Sequence, residues 1–292
     1  MEIIYTKKTK KLAESISEKM SVSAFPINVR QFYNGEISVS LRKPFHNAVV
    51  IASTETNDDW IELFLLLDAL RSSANVILCL SYMGYSRQDQ QLANESFAAG
   101  LFARLLENMN ISRCIVVDNH SEPLFRIPTQ HISTQIIFEK DISRKYVADQ
   151  IVVVAPDLGG VHRAYNIAKS LKCEFAICNK AKSVFGDLKR VDHIGSVNGK
   201  ICILIDDMID SGATLCYASE SLTKAGSRGV AAYCTHGVLS NGSIEKIKKS
   251  QISEVVLTDS IQKTDELSEK FRRLSIDSLI IDAIKSSGIR SC

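Results

Sequence analysis

The chain has 292 residues, 45% of them hydrophobic and 23% charged, the balance of an ordinary soluble globular protein. Its 35 Lys and Arg against 33 Asp and Glu leave a formal charge of +2, so no global positive field points to nucleic acid. With 14 Gly and 5 Pro, collagen-like and Gly/Pro-rich disordered chains are excluded, and no apolar run nears the ~18 residues of a membrane span.

The length suggests two domains of ~150 residues. The N-terminus, MEIIYTKKTKK, sets its charges after its apolar residues, the wrong order for a secretory leader. The eight cysteines sit largely in apolar runs and form no CxxC pair, so a reduced, cytoplasmic protein is expected. The first motif, Phe32-Tyr33-Asn34-Gly35-Glu36, reads as a hairpin turn. A strand is predicted over 48–53 (AVVIAS), a helix over 59–72 and a strand over 76–81 (VILCLS). The polar loop Ser86-Arg87-Gln88-Asp89 follows. Next come a helix over 95–109 and a strand over 114–118, which ends at Asp118 and His120. An aromatic beside hydrogen-bonding groups suits a purine base, and a histidine at a strand end suits a metal or phosphate. Taken alone, each of these is equally an ordinary loop.

The polar stretch near 135–148 marks a boundary, giving domains 1–140 and 141–292. Beyond it a strand over 151–155 (IVVVA) runs into Asp157-Leu158-Gly159-Gly160 and a helix over 161–171, with Arg163 in its first turn. This is a candidate anion loop with Asp157 placed for a metal, although a plain strand–helix connection fits as well. A strand over 175–179 precedes Lys180 and Lys182, two cations on one side of the chain that suit charge developing on a phosphoryl group. The strand over 201–206 (ICILID) enters Asp206-Asp207-Met208-Ile209-Asp210, and Ser211-Gly212-Ala213-Thr214 opens a helix over 213–225. Unpaired N–H groups and the positive end of the helix dipole bind phosphate there. Carboxylates beside such a cradle point to a ligand with hydroxyls or a metal as well, and a sugar phosphate fits both halves. Strands over 229–235 and 254–258 and a helix over 274–285 complete the chain.

Continuous β-branched strands alternating with helices indicate α/β architecture with parallel sheets buried on both faces. The stretch IASTETNDDW…SYMGYS also echoes IDDMIDSGAT…THGVLS in pattern, which suggests two similar domains.

The segment DDMIDSGAT resembles the phosphoribosyl-pyrophosphate loop of the type I phosphoribosyltransferase fold. FYNGE, SRQDQ, DNH, PDLGGVHRA, NKAK, DDMIDSGAT, THGVLS and LSIDSLIIDAI also occur in the order found in ribose-phosphate diphosphokinases, over essentially the whole chain. The resemblance implies two phosphoribosyltransferase-like domains, each a mostly parallel sheet flanked by helices. It implies transfer of the diphosphoryl group of ATP to the 1-hydroxyl of ribose 5-phosphate with Mg2+, cytoplasmic location, and a homo-oligomer, dimer or hexamer. By resemblance Asp206, Asp207, Asp210, Ser211, Gly212, Ala213 and Thr214 bind ribose 5-phosphate. Phe32, Asn34 and Glu36 reach the adenine of a neighbouring subunit's ATP, and Arg87 and Gln88 contact ATP. His120 and Asp157 sit at the metal, and Lys180 and Lys182 form the catalytic basic pair. The sequence departs from the family at Asn34, where Asp is usual, and at Lys182, where Arg is common. It also departs at residues 90–96 (QQLANES), which carry no cation, and near Arg126, where many members have an acid. A silent regulatory member of the family and a phosphoribosyltransferase are the alternatives.

Overall fold

The computed structural model describes residues 1–121, 125–182, 188–262 and 268–287. The described residues of Met1–Ser133, Ser260–Gln262 and Ser275–Cys292 form one compact unit, and those of Thr134–Asp259 and Lys263–Leu274 form a second.

The first unit contains β1 (Glu2–Tyr5), α1 (Lys10–Met20), β2 (Ala24–Pro26), β3 (Asn28–Gln31), β4 (Ile37–Ser40), β5 (Asn47–Thr54), α2 (Asn57–Ala69), β6 (Asn75–Met83), α3 (Ala98–Glu107), β7 (Arg113–Val117) and β8 (Thr129–Ile132). Six strands form a sheet in the order β2-β1-β5-β6-β7-β8, every pair parallel. β5 and β6 are buried almost end to end, which is why they read as unbroken apolar runs. Under α2 and α3 the rings of Trp60 and Phe102 stack at 4.1 Å within a core of Leu63, Leu66, Leu67 and Leu106. β3 and β4 stand apart as an antiparallel hairpin.

The second unit contains α4 (Gln135–Lys145), β9 (Ile151–Ala155), α5 (Val161–Leu171), β10 (Glu174–Lys182), β11 (Leu188–Ile194), β12 (Ile201–Ile209), α6 (Ala213–Lys224), β13 (Gly229–Gly237), α7 (Ser243–Lys248), β14 (Ile252–Thr258) and β15 (Phe271–Leu274). Its sheet runs β11-β10-β9-β12-β13-β14-β15, parallel except for β10 with β11. Without β11 and the β3–β4 hairpin, both sheets follow the order second, first, third, fourth, fifth, sixth. The expected pair of similar, mostly parallel α/β folds is present. In such sheets ligands bind beyond the carboxyl ends of the strands.

The last helix, α8 (Asp277–Ser286), belongs to the first unit. Its buried Ile280, Ile281 and Ile284 face α1 and β8, and the buried Asp277 carboxylate accepts from Ser15 Oγ at 2.6 Å and Lys19 Nζ at 2.5 Å. Burial alone would lift the Asp277 carboxyl; the hydrogen bonds from Lys19 and Ser15 outweigh it and hold it below its ordinary value. The division at 140 and 141 drawn from polarity therefore differs from these units at both ends. The second unit begins at Thr134, and the chain returns to the first for α8, because the apolar face of α8 is covered there.

Candidate functional site

The β12–α6 connection concentrates the most chemistry. Cys202 to Ile205 are fully buried and apolar, and they deliver Asp206 and Asp207 to the carboxyl-terminal part of the strand. β12 does not end at Asp206, as the apolar run suggests, but pairs with β13 on to Ile209 opposite Gly237. The acidic pair therefore sits on rigid backbone. Asp207 is 7% exposed, and its N–H donates to Asp206 Oδ1 at 3.0 Å. Burial, reinforced by the neighbouring charges of Asp207 and Asp157, pushes the Asp206 carboxyl well above the ordinary carboxylate range. Two like charges cannot both be held there without a cation or a hydrogen-bond donor.

The chain then turns. Leu239 N–H donates to Ile209 O at 2.9 Å and Ser240 N–H to Asp210 O at 3.2 Å, tying the loop to the end of β13. Gly212 has φ +72° and stands at the N-cap of α6, where a Cβ would come within 3.1 Å of Ile247. A residue without a side chain cannot cap the helix, and the first turn holds no acid. The positive end of this 12-residue helix lies at Ser211, Gly212, Ala213 and Thr214, a few residues beyond the carboxylates, where Ser211 Oγ accepts from Ala213 N–H at 3.4 Å.

Asp157 joins them from the β9–α5 loop. Its Oδ1 accepts from Gly159 N–H at 3.1 Å, and a Cβ on Gly160 would lie 3.3 Å from Ile205 O, so glycine permits this loop to close on β12. The buried Cys234 thiol, paired in register with Asp206, is raised by burial and by Asp206 and Asp207, with Arg163 acting the other way. Asp157, Arg163, Asp206 and Asp207 are therefore gathered around the end of one strand pair. Among the described residues no three His, Cys, Asp or Glu side chains form a metal cage. An oxygen-donor set of this kind fits magnesium, which takes one or two carboxylates and completes its shell with water and substrate.

Lys180 and Lys182 lie on β10, opposite Val191 and Leu188 of β11; their side chains lie outside what the structure describes.

In the first unit, Phe32, Asn34 and Glu36 form the tip of the β3–β4 hairpin. Phe32 N–H donates to Glu36 O at 2.8 Å, and Gly35 takes φ +89°. Asn34 Oδ1 accepts from Glu36 N–H at 3.2 Å, so the amide oxygen already has a role in shaping the turn. The Phe32 ring is exposed, with the Arg30 guanidinium 5.0 Å from its centroid.

Arg87, Gln88 and His120 share one cavity of about 570 Å³ with Asp89, Gln90 and Glu95. Gln88 is fixed by its N–H to Tyr85 O at 2.9 Å and its carbonyl from Ala99 N–H at 3.1 Å. α3 starts at Ala98 rather than at Glu95, because residues 94–96 stay in the loop after Asn94 turns with φ 64°. Asp89 falls in the polar loop read from the sequence, and Gln90 and Glu95 in the cation-free stretch 90–96; the structure brings all three to the cavity of Arg87 and Gln88. His120 belongs to this unit and Asp157 to the other.

The comparisons agree across the chain. The N-terminal domain of ribose phosphate pyrophosphokinase matches residues 1–109, and the phosphoribosyl synthetase-associated domain matches residues 186–289. A ribose-phosphate pyrophosphokinase of Brucella melitensis is 36% identical over 94% of this chain and 92% of its own length. One of Rhizobium meliloti is 36% identical over 97% and 96%. The crystal structure of a phosphoribosylpyrophosphate synthetase from Mycobacterium smegmatis superposes with a TM-score of 0.90 at 28% identity, covering 98% of this chain and 99% of that one.

Proposed function

The chain belongs to the ribose-phosphate pyrophosphokinase family, and from that premise we infer that it transfers the diphosphoryl group of ATP to the 1-hydroxyl of ribose 5-phosphate. The products are 5-phosphoribosyl 1-diphosphate and AMP. The observation that carries this reading is the half-buried Asp206 and buried Asp207 beside the glycine-led start of α6 at Gly212. Ser211 to Thr214 hold the 5-phosphate through backbone N–H groups and the helix dipole. Asp206, Asp207 and Asp210 take the ribose hydroxyls, which supply the donors that the raised Asp206 carboxyl calls for.

The 1-hydroxyl oxygen bonds to the β-phosphorus and gives up its proton to solvent as the bond from that phosphorus to the α,β-bridging oxygen breaks and AMP leaves. Such transfers rest on positioning and charge neutralisation rather than covalent help from the protein. Lys180 and Lys182 neutralise charge on the moving group. Asp157, with Asp206 and Asp207 beside it, is the place for magnesium, which supplies further charge neutralisation when bound. Arg87, Gln88 and His120 line the nucleotide cavity, and Phe32, Asn34 and Glu36 present the hairpin tip to the adenine bound by a neighbouring subunit. We propose a homo-oligomer, dimer or hexamer, in the cytoplasm. Among the described residues no helix is long and apolar enough to cross a membrane.

The cation-free loop at residues 90–96 favours one second reading, a silent regulatory subunit. Purified protein incubated with ATP, magnesium and ribose 5-phosphate separates the two. Equimolar AMP and phosphoribosyl diphosphate support the enzyme. Absence of AMP at saturating substrate supports the silent subunit.

A further inference from the structure

The segment between β13 and α7 holds the β12–α6 loop by its backbone. Leu239 N–H donates to Ile209 O at 2.9 Å, Ser240 N–H to Asp210 O at 3.2 Å, and Ser243 N–H returns to Ser240 O at 3.0 Å. A Cβ on Gly212 would lie 3.8 Å from Ser243 O, so Ser243 is packed against the glycine of the loop.

Two features of this segment are unfavourable in themselves. Leu239 is buried at φ 46°, a left-handed backbone that leucine rarely adopts. Its side chain belongs to the same apolar cluster as Ile209, Leu215 and Ile247, which anchors it there. Ser243 is 1% exposed, and its Oγ has no hydrogen-bond partner among the described residues. A buried hydroxyl without a partner forfeits the bonds it makes in water, so it calls for an explanation. A strained residue and an orphaned donor within five residues point to a task beyond connecting a strand to a helix.

The geometry of the peptide group supplies that task. In a trans peptide the N–H and the C=O point in opposite directions. Aiming Gly212 N–H at a phosphate therefore turns Ser211 C=O away from the phosphate and toward the protein. The carbonyls on either side are already engaged: Ile209 O and Asp210 O accept from Leu239 and Ser240, and Gly212 O accepts from Cys216 N–H at 3.0 Å. We infer that Ser243 is a positioning residue for the sugar phosphate: its hydroxyl donates to Ser211 C=O when Gly212 N–H turns to the 5-phosphate, and so holds the loop in its ligand-binding form. Ser243 acts through the loop and touches no ligand. The inference rests on the reading of the β12–α6 connection as the sugar-phosphate site.

The test compares Ser243→Ala with the natural protein. Titration calorimetry measures ribose 5-phosphate and, separately, magnesium-ATP, and thermal unfolding without ligand gives the midpoint. Ribose 5-phosphate binding is expected to weaken about 3- to 10-fold, the loss of one hydrogen bond, while magnesium-ATP affinity stays the same. The unfolding midpoint is expected to equal or exceed that of the natural protein, because an orphaned polar atom has been removed. Unchanged ribose 5-phosphate affinity, equal weakening of both ligands, or a lowered midpoint each overturns the inference, and binding of ribose 5-phosphate by the natural protein then leaves the site reading intact. Absence of that binding in the natural protein overturns the site reading and the inference with it.

Discussion

The β5–α2 and β12–α6 connections occupy the same place in two sheets of the same strand order, yet one is capped by its own side chains and the other is the connection we propose as the sugar-phosphate site. In the first, Asp59 N–H donates to Thr56 Oγ1 at 3.3 Å and Thr56 N–H donates to Asp59 Oδ2 at 2.6 Å, a reciprocal cap. Asp58 and Asp59 fill the first turn, and Lys8 Nζ lies 2.7 Å from Asp59. The helix start is thereby satisfied from within the chain. In the second, glycine replaces the cap, no acid occupies the first turn, and the acids have moved upstream into the strand at Asp206 and Asp207. The same acidic character thus caps a helix in one unit and stands at a strand end beside the proposed phosphate cradle in the other. A fold supplies the place, and a few residues decide whether it is a site.

The largest expected effect extends the contrast to the neighbouring strands. β2 is three residues long and ends at Pro26, whereas β10, in the equivalent position, runs nine residues to Lys182. Lys180→Ala should lower kcat by ~10²–10³ with little change in either KM, because a cation acting on developing charge contributes in the transition state. A raised KM at constant kcat would make Lys180 a binding residue.

Next comes the stability of the empty site. The Asp206 carboxyl is raised in the folded state, so its contribution favours folding in acid and is lost as pH rises through its folded-state value. Asp206→Asn should raise the unfolding midpoint of the ligand-free protein at neutral and alkaline pH, and the gain should shrink in acid. Turnover should be lost in the same variant. A midpoint difference independent of pH would contradict the burial argument.

Gly212→Ala meets both a left-handed backbone and Ile247 at 3.1 Å. A stability loss of about 1–2 kcal/mol is expected, with severalfold weaker ribose 5-phosphate binding. Chemical denaturation and calorimetry on the same variant read the two effects.

The smallest effect is on the capped side. Thr56→Ala removes the cap of α2 at a cost of ~1 kcal/mol and should leave sugar-phosphate affinity untouched. A change in that affinity would mean that the two connections do not differ as described.

Most of this contrast was legible on one side alone. The buried central strands and the helices Val161–Leu171 and Ala213–Lys224 show in the sequence, because continuous apolar runs and clear helical spacing signal them. The DDMIDSGAT segment shows because acids, glycine and a helix start are contiguous. The short or edge strands β1, β2, β8 and β15 were not legible. Four residues or fewer give no periodicity to read, and β11 (LKRVDHI) pairs antiparallel at an edge with mixed polarity. The charge-rich α1 (KKLAESISEKM) hid its buried Leu12, Ala13 and Ile16. The approach of Asp157 to Asp206 and of His120 to Arg87 depends on tertiary folding, which adjacency in sequence does not encode.

The most direct measurement is the stoichiometry of ribose 5-phosphate binding by titration calorimetry, on the natural protein, on the double variant Asp206→Asn with Asp207→Asn, and on Thr56→Ala with Asp59→Asn. One site per chain is expected, abolished or strongly weakened in the first double variant and retained in the second. Binding that survives loss of Asp206 and Asp207, or that falls when Thr56 and Asp59 are changed, would place the sugar phosphate elsewhere and contradict the assignment of the site to the β12–α6 connection.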